Sequence, residues 1–184
     1  MNEPVHMAMA DEDLIRNSLL GDRNAQKTLF DKYTRRMMGI CMRYAHNREE
    51  AEDMLQEGWI KVFKNLHSFR FEGSAEGWIK RIMVNTCLEI LRKNKKMGHQ
   101  VEIDEVYESV YTEINSTDAI SAKELLKLIH KLPAGYRTVF NLFAIEGYSH
   151  KEIAAMLSIT ENTSKSQYSR ARMHLQRMLM LENA

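Results

Sequence analysis

Apolar residues recur at helical spacing along most of this chain. Leu29, Tyr33, Met37, Ile40, Cys41 and Tyr44 follow one another every three or four positions after a turn expected at Gly21 and Asp22, which predicts one amphipathic helix. A second is predicted over 48–66, with Leu55, Trp59, Val62, Phe63 and Leu66 on its buried stripe and Glu49, Asp53, Gln56 and Glu57 on another face. A third, over 75–96, is expected to bury Trp78, Ile82, Leu88 and Leu91. Three or four such helices make a bundle.

The periodicity lapses over 98–121 and then resumes. That stretch has no sustained helical period and ends in the turn-prone run Asn115, Ser116, Thr117, Asp118, so it is read as a linker. Beyond it, Leu125 to Leu132 is helical until Pro133 stops the pattern, and further helices are predicted over 135–146, 149–157 and 161–179. The expected architecture is all-α, with two small helical bundles at 1–97 and 122–184 joined by a flexible linker at 98–121.

Composition agrees with this reading and narrows it. Only 2 prolines and 8 glycines interrupt 184 residues, and the periodic stretches are rich in good helix formers. No apolar run approaches the roughly 18 to 20 residues that cross a bilayer, and no basic segment followed by an apolar stretch opens the chain. A cytoplasmic location without membrane insertion is expected. Cys41 and Cys87 stand alone on helical patterns, without C-x-x-C spacing, and are read as core residues rather than as a disulfide or zinc site.

A net charge of +1 conceals a division along the chain. Residues 1–97 carry 17 Lys/Arg against 14 Asp/Glu, 98–121 carry none against 6, and 122–184 carry 9 against 5. Two mildly basic bundles therefore flank an acidic linker.

The second bundle contains the most specific local pattern. Ser149-His150-Lys151-Glu152 has the S-x-x-E form of a capping box, which marks a helix start. Ile153, Ala154 and Leu157 supply an apolar stripe, Ser158-Ile159-Thr160 a short turn, and Thr160 a cap for the next helix, with Ala154 small enough for the helices to cross. The final helix is expected to bury Tyr168, Ala171, Leu175 and Met178 and to leave Lys165, Ser166, Ser169, Arg170, Arg172 and Arg177 near its open face. No acidic residue falls between positions 162 and 181. This is the pattern of a helix-turn-helix whose second helix enters the major groove. By itself it also suits a DNA-binding regulator that is no part of a polymerase.

In the first bundle, Phe69, Phe71 and Trp78 interleave with Arg70, Lys80, Arg81, Arg92, Lys93, Lys95 and Lys96. Aromatic faces beside cations suit melted DNA, whose exposed bases stack while its phosphates meet charge. Trp78 is at the same time a candidate core residue. An enzyme finds no support in the sequence: there is no Ser/His/Asp set, no metal-ligand spacing and no phosphate-binding glycine loop, and the 7 histidines are scattered one per segment. No catalytic residue, metal, cofactor or small-molecule substrate is expected.

Three segments in order, AEDMLQEGWIKVFKNLHSFR, GWIKRIMVNTCLEILRK and LPAGYRTVFNLFAIEGYSHKEIAAMLSITENTSKSQYSRARMHL, resemble the extracytoplasmic-function type of bacterial RNA polymerase sigma factor. The resemblance covers about residues 11–179. It implies region 2 at 1–97, for core binding and for recognition and melting of the −10 element, and region 4 at 122–184, for the −35 element. It further implies that Asp53, Gln56, Glu57 and neighbouring Ile60 meet the clamp helices of the largest polymerase subunit. Phe69, Arg70 and Asn85 match positions that read the −10 element, where a base is turned out of the stack. The cations Lys80, Arg81 and Arg92 and the ring of Trp78 fall in the same part of the chain. Lys165, Ser166, Ser169 and Arg170 match the face that reads −35, with Thr163 and Arg172 as phosphate contacts. The partners implied are core RNA polymerase through its beta and beta-prime subunits, promoter DNA and an anti-sigma factor. Four residues depart from the family pattern: Ser158 and Asn162 stand where Gly is common, Ser164 where an apolar residue is usual, and Glu89 where Asp is frequent.

Overall fold

The computed structural model describes residues 10–96 and 117–182, and these are all-α, with no strand among the described residues. They form two compact units, the first built mainly from α1 (Asp11–Leu19), α2 (Arg23–Tyr44), α3 (Arg48–Lys64) and α4 (Ala75–Lys96). The second is built mainly from α5 (Thr117–His130), α6 (Ala134–Phe140), α7 (His150–Leu157) and α8 (Glu161–Glu182).

In the first unit, the expected turn between α1 and α2 is present. Gly21 takes φ 86°, a conformation open to glycine at no steric cost, and Asp22 caps α2 by accepting from the backbone N–H of Asn24 at 2.8 Å. Leu29, Tyr33, Met37, Ile40, Cys41 and Tyr44 are all buried, as their spacing predicts. Of the next predicted stripe Trp59, Val62 and Leu66 are buried while Leu55 and Phe63 are only half-buried, Met54 being fully buried in addition, and a short 3-10 turn, Leu66–Ser68, ends the run. Gly58 lets α4 approach α3 closely, since a Cβ there would fall 2.2 Å from the sulfur of the fully buried Met83.

Helix α4 differs from the expectation. Its most buried positions are Ile79, Met83, Val84, Cys87 and Leu88, while Trp78, Ile82 and Leu91 are only half-buried. Its apolar residues cover more than one stripe, so counting them could not single out the face that packs deepest. Cys41 and Cys87 are both buried free thiols, their sulfurs 3.9 Å apart.

In the second unit, Leu128, Ile129, Leu132, Ala171 and Leu175 form the core, with Tyr136, Phe140 and Met178 packed against it. Two boundaries moved. Helix α5 begins at Thr117, inside the stretch read as linker, because the Ser/Thr/Asn/Asp cluster taken for a turn serves equally well as a helix start. The remainder of that linker lies outside the described residues. The helix expected over 135–146 begins at Ala134 behind Pro133 and changes after Phe140 into one turn of π-helix, Asn141–Ile145.

Candidate nucleic-acid interface

The helix-turn-helix is built from local hydrogen bonds that the sequence had announced. Ser149 Oγ accepts from the backbone N–H of Glu152, and Ser149 N–H donates to Glu152 Oε2 at 2.8 Å, completing the capping box of α7. Ser158 ends α7 in the left-handed conformation, φ 55° and ψ 45°, where a glycine would sit without strain. Thr160 Oγ1 accepts from Thr163 N–H at 3.0 Å and so caps α8.

Helix α8 is held from below by Ala171 and Leu175, both buried, and by the half-buried Tyr168 and Met178. Tyr168 joins an aromatic cluster in which the Phe143 and His150 rings stack at 4.2 Å and Phe143 lies 4.5 Å from Tyr168. Fully buried Ser164 faces His150, whose Nδ1 lies 2.9 Å from the serine Oγ.

On the opposite side of α8, Lys165, Ser166, Ser169, Arg170 and Arg172 are all exposed, and Thr163 is half-exposed beside the cap. They share one broad face, as residues spaced three and four apart must on a helix. Several are oriented by neighbours. Lys165 pairs with Glu161 at 2.8 Å, and this holds the Glu161 carboxyl below its ordinary value. Arg170 donates to Tyr136 Oη at 3.3 Å, the Arg172 guanidinium lies 6.0 Å from the Tyr168 ring centre, and Ser166 Oγ donates to the Thr163 carbonyl at 3.0 Å.

In the first unit, Asp53, Gln56, Glu57 and Ile60 form one exposed stripe on α3. Ile60, a large apolar side chain, is 55% exposed there. On α4, Arg81, Asn85 and Arg92 are exposed and fall on one side with half-buried Trp78. Lys80 is half-exposed and points elsewhere, being one step of about 100° round the helix from Arg81. Phe69 is only 8% exposed, its edge packed on Trp78 at 5.5 Å and on Phe71 at 5.0 Å, while Arg70 is exposed. Phe69 also lines a cleft of about 430 Å³ with Ala10, Asp11, Glu12, Asp13, Gly73 and Ser74. Ser74 starts α4 by accepting from Gly77 N–H at 3.0 Å.

Two residues at this site escaped the sequence reading. Lys61 pairs with Glu89 of α4 at 2.7 Å and reaches Glu57 of α3 at 3.7 Å, so one ammonium ties the α3 stripe to the α4 face. The Glu89 carboxylate, an acid on an otherwise basic face, is thereby balanced. Arg16 of α1 lies over the Phe71 ring at 4.6 Å. Neither contact has a signal in one sequence, because each joins segments far apart in the chain. Among the described residues no cluster of His, Cys, Asp or Glu has the arrangement of a metal site, and no helix is long and apolar enough to cross a membrane.

Known proteins with the same pattern are promoter-specificity factors. Residues 29–97 match the family described as Sigma-70 region 2, and residues 122–175 match Sigma-70, region 4. The ECF RNA polymerase sigma factor SigM of Mycobacterium tuberculosis is 30% identical over 170 residues, covering 92% of this chain and 85% of its own. The chain belongs to the ECF family of RNA polymerase sigma factors. The ECF sigma factor SigW of Bacillus subtilis is 30% identical over 185 residues, covering 94% of this chain and 98% of its own. In fold, this ECF chain resembles the sigma factor RpoE crystallised with the anti-sigma factor NepR from Bartonella quintana, with a TM-score of 0.59 and 23% identity over 84% of this chain and 96% of that one. It also resembles CnrH, solved in complex with the cytosolic domain of CnrY, with a TM-score of 0.54 and 20% identity over 94% and 99%. The family is one of polymerase specificity subunits and not of enzymes.

Proposed function

We propose that this sigma factor binds core RNA polymerase through the α3 stripe, captures the melted −10 strand with the loop and helix that follow, and anchors upstream duplex at −35 with α8. Residues 1–97 act as region 2 and 122–184 as region 4, with the acidic stretch 98–121, whose last residues open α5, between them. The protein works in the cytoplasm, carries no catalytic residue and takes no cofactor.

The observation that carries the −35 assignment is the face of α8. Its exposed residues are cationic or small and hydroxylic, its start is capped by Thr160 of the turn, and its polar Ser164 anchor meets His150 of the preceding helix. Cations neutralise phosphate, while short side chains near the start of the helix let it approach base edges. Lys165, Ser166, Ser169 and Arg170 read bases there, and Thr163 and Arg172 contact phosphates. For the −10 element, the cleft beside Phe69 offers an aromatic wall to an unpaired base, and Arg70, Arg81, Asn85 and Arg92 offer donors to the strand. Trp78 backs Phe69, and Lys80 contributes charge from a neighbouring side.

Asp53 and Glu57 present acids, which repel DNA phosphates, beside Gln56 and the exposed apolar Ile60, a combination that suits a protein contact rather than a DNA contact. Contacts through two DNA-binding domains on one linker reinforce each other by effective concentration. An anti-sigma factor is the expected regulatory partner, as the similar sigma factor RpoE is crystallised with one.

Mobility shifts with promoter DNA, run at one stated salt concentration with and without core polymerase, test this reading against that of an independent helix-turn-helix regulator. Weak binding by the chain alone and tight, sequence-selective binding with core support it. Tight binding by the chain alone, unchanged by core, would sink it.

A further inference from the structure

Among the described residues, Phe71 and Ser158 are the non-glycine positions with positive φ. Ser158 ends a helix, where that conformation is common. Phe71, at φ 58°, ends none: it sits in the loop between the 3-10 turn and α4, and an aromatic side chain there is strained. Such a conformation persists only where the surroundings impose it, and it concentrates at binding sites.

Around it runs a column of a cation and edge-to-face rings. The Arg16 guanidinium lies 4.6 Å from the Phe71 ring centre, the Phe71 ring meets Phe69 at 5.0 Å and 64°, and Phe69 meets Trp78 at 5.5 Å and 61°. The column runs from α1 through the loop to α4, and Arg70 lies within it in sequence with its own side chain exposed. Arg16 is itself an exposed side chain, reaching Glu12 only at 3.9 Å, so its placement over the ring is not a consequence of core packing.

We propose that Arg16 and Phe71 are positioning residues for the −10 loop: the cation over the ring holds the strained backbone that turns Arg70 outward and leaves one side of Phe69 facing the cleft. The proposal rests on the reading of this loop as the −10 contact. Cation–ring attraction at an exposed site is weak, so its loss releases the loop without unfolding the unit.

The test uses the full chain assembled with core polymerase on promoter DNA carrying 2-aminopurine in the non-template −10 strand, with opening followed by fluorescence. Phe71→Gly separates ring from backbone, because glycine adopts φ 58° without strain and the variant is expected to fold at least as stably. The proposal expects Arg16→Ala, Phe71→Gly and the double variant each to slow opening by a similar factor, about 3- to 10-fold, with core affinity and thermal unfolding unchanged. Arg16→Lys, which keeps a cation, is expected to recover part of the rate. Arg70→Ala is the control for the underlying reading. If it slows opening while Arg16→Ala and Phe71→Gly do not, the positioning proposal is overturned and the loop assignment survives. Should Arg70→Ala also leave opening intact, the loop assignment fails and takes the proposal with it. Slower opening accompanied by lost core affinity or a lowered melting temperature would assign the column to ordinary fold stability instead.

Discussion

His150 Nδ1 and Ser164 Oγ lie 2.9 Å apart, joining the first helix of the helix-turn-helix to a fully buried position on the second. The recognition helix is thus fixed at a buried position by a polar contact, with His150 also stacked on Phe143. A buried hydroxyl with a partner is tolerated, whereas a histidine nitrogen stripped of its partner is costly.

Ser164→Ala is therefore expected to destabilise the second unit by about 1–2 kcal/mol, while pairing it with His150→Phe restores most of that loss by removing both polar groups. Urea denaturation of the single and double variants measures this. Equal losses in both would show that the hydrogen bond contributes nothing.

Lys165 is tied to Glu161 at 2.8 Å in the free protein, and a phosphate or base must compete for it. Glu161→Gln is expected to raise affinity for −35 duplex about 2- to 5-fold at low salt, with the gain shrinking as salt screens both attractions. Titration of a labelled −35 duplex by the holoenzyme at two salt concentrations checks the sign and the trend.

Gly58 stands against Met83, where a Cβ would meet the sulfur at 2.2 Å. Met83 is fully buried and cannot swing away freely. Gly58→Ala is expected to cost about 1–3 kcal/mol through overpacking, and less when Met83 is shortened in the same chain. Chemical denaturation of the two singles and the double reads the coupling.

Asp11 accepts hydrogen bonds from Lys32 and from the Tyr33 hydroxyl. Burial pushes its carboxyl up, but these two donors outweigh burial and hold it below its ordinary 3.8, while burial and the same carboxylate push Tyr33 up. A depressed carboxyl stabilises the fold fully above its unfolded value, and that stability is lost as pH falls through the folded value. Asp11→Asn is expected to lower stability by about 1 kcal/mol near neutral pH and to make no difference at strongly acid pH. Stability measured against pH for both chains tests the convergence.

How far the sequence could be read depended on the range of each interaction. The capping box at Ser149 and Glu152, the Thr160 cap and the Asp22 turn are local, and all were legible from spacing alone. So was the α2 stripe from Leu29 to Tyr44, since one side of that helix is consistently apolar. Helix α4 was harder: it carries apolar residues on more than one side, and Trp78 and Ile82 looked as buried as Ile79 and Met83 are. The start of α5 at Thr117 was missed because the same residue types serve turns and helix caps. Exposure at Asp53, Glu57 and Arg170 followed from periodicity. The contacts that organise the site, Lys61 with Glu89, Arg16 with Phe71 and His150 with Ser164, join separate elements of the fold and leave no trace in local pattern.

Promoter selection for core polymerase is read out by transcription in vitro from a promoter library. Purified core is incubated with the library with and without the chain, and transcript starts are mapped. Discrete starts are expected only when the chain is present, preceded by shared −10 and −35 sequences, with the −35 preference altered by changes at Lys165 or Arg170. An unchanged start pattern, from a chain shown to bind core, would contradict it.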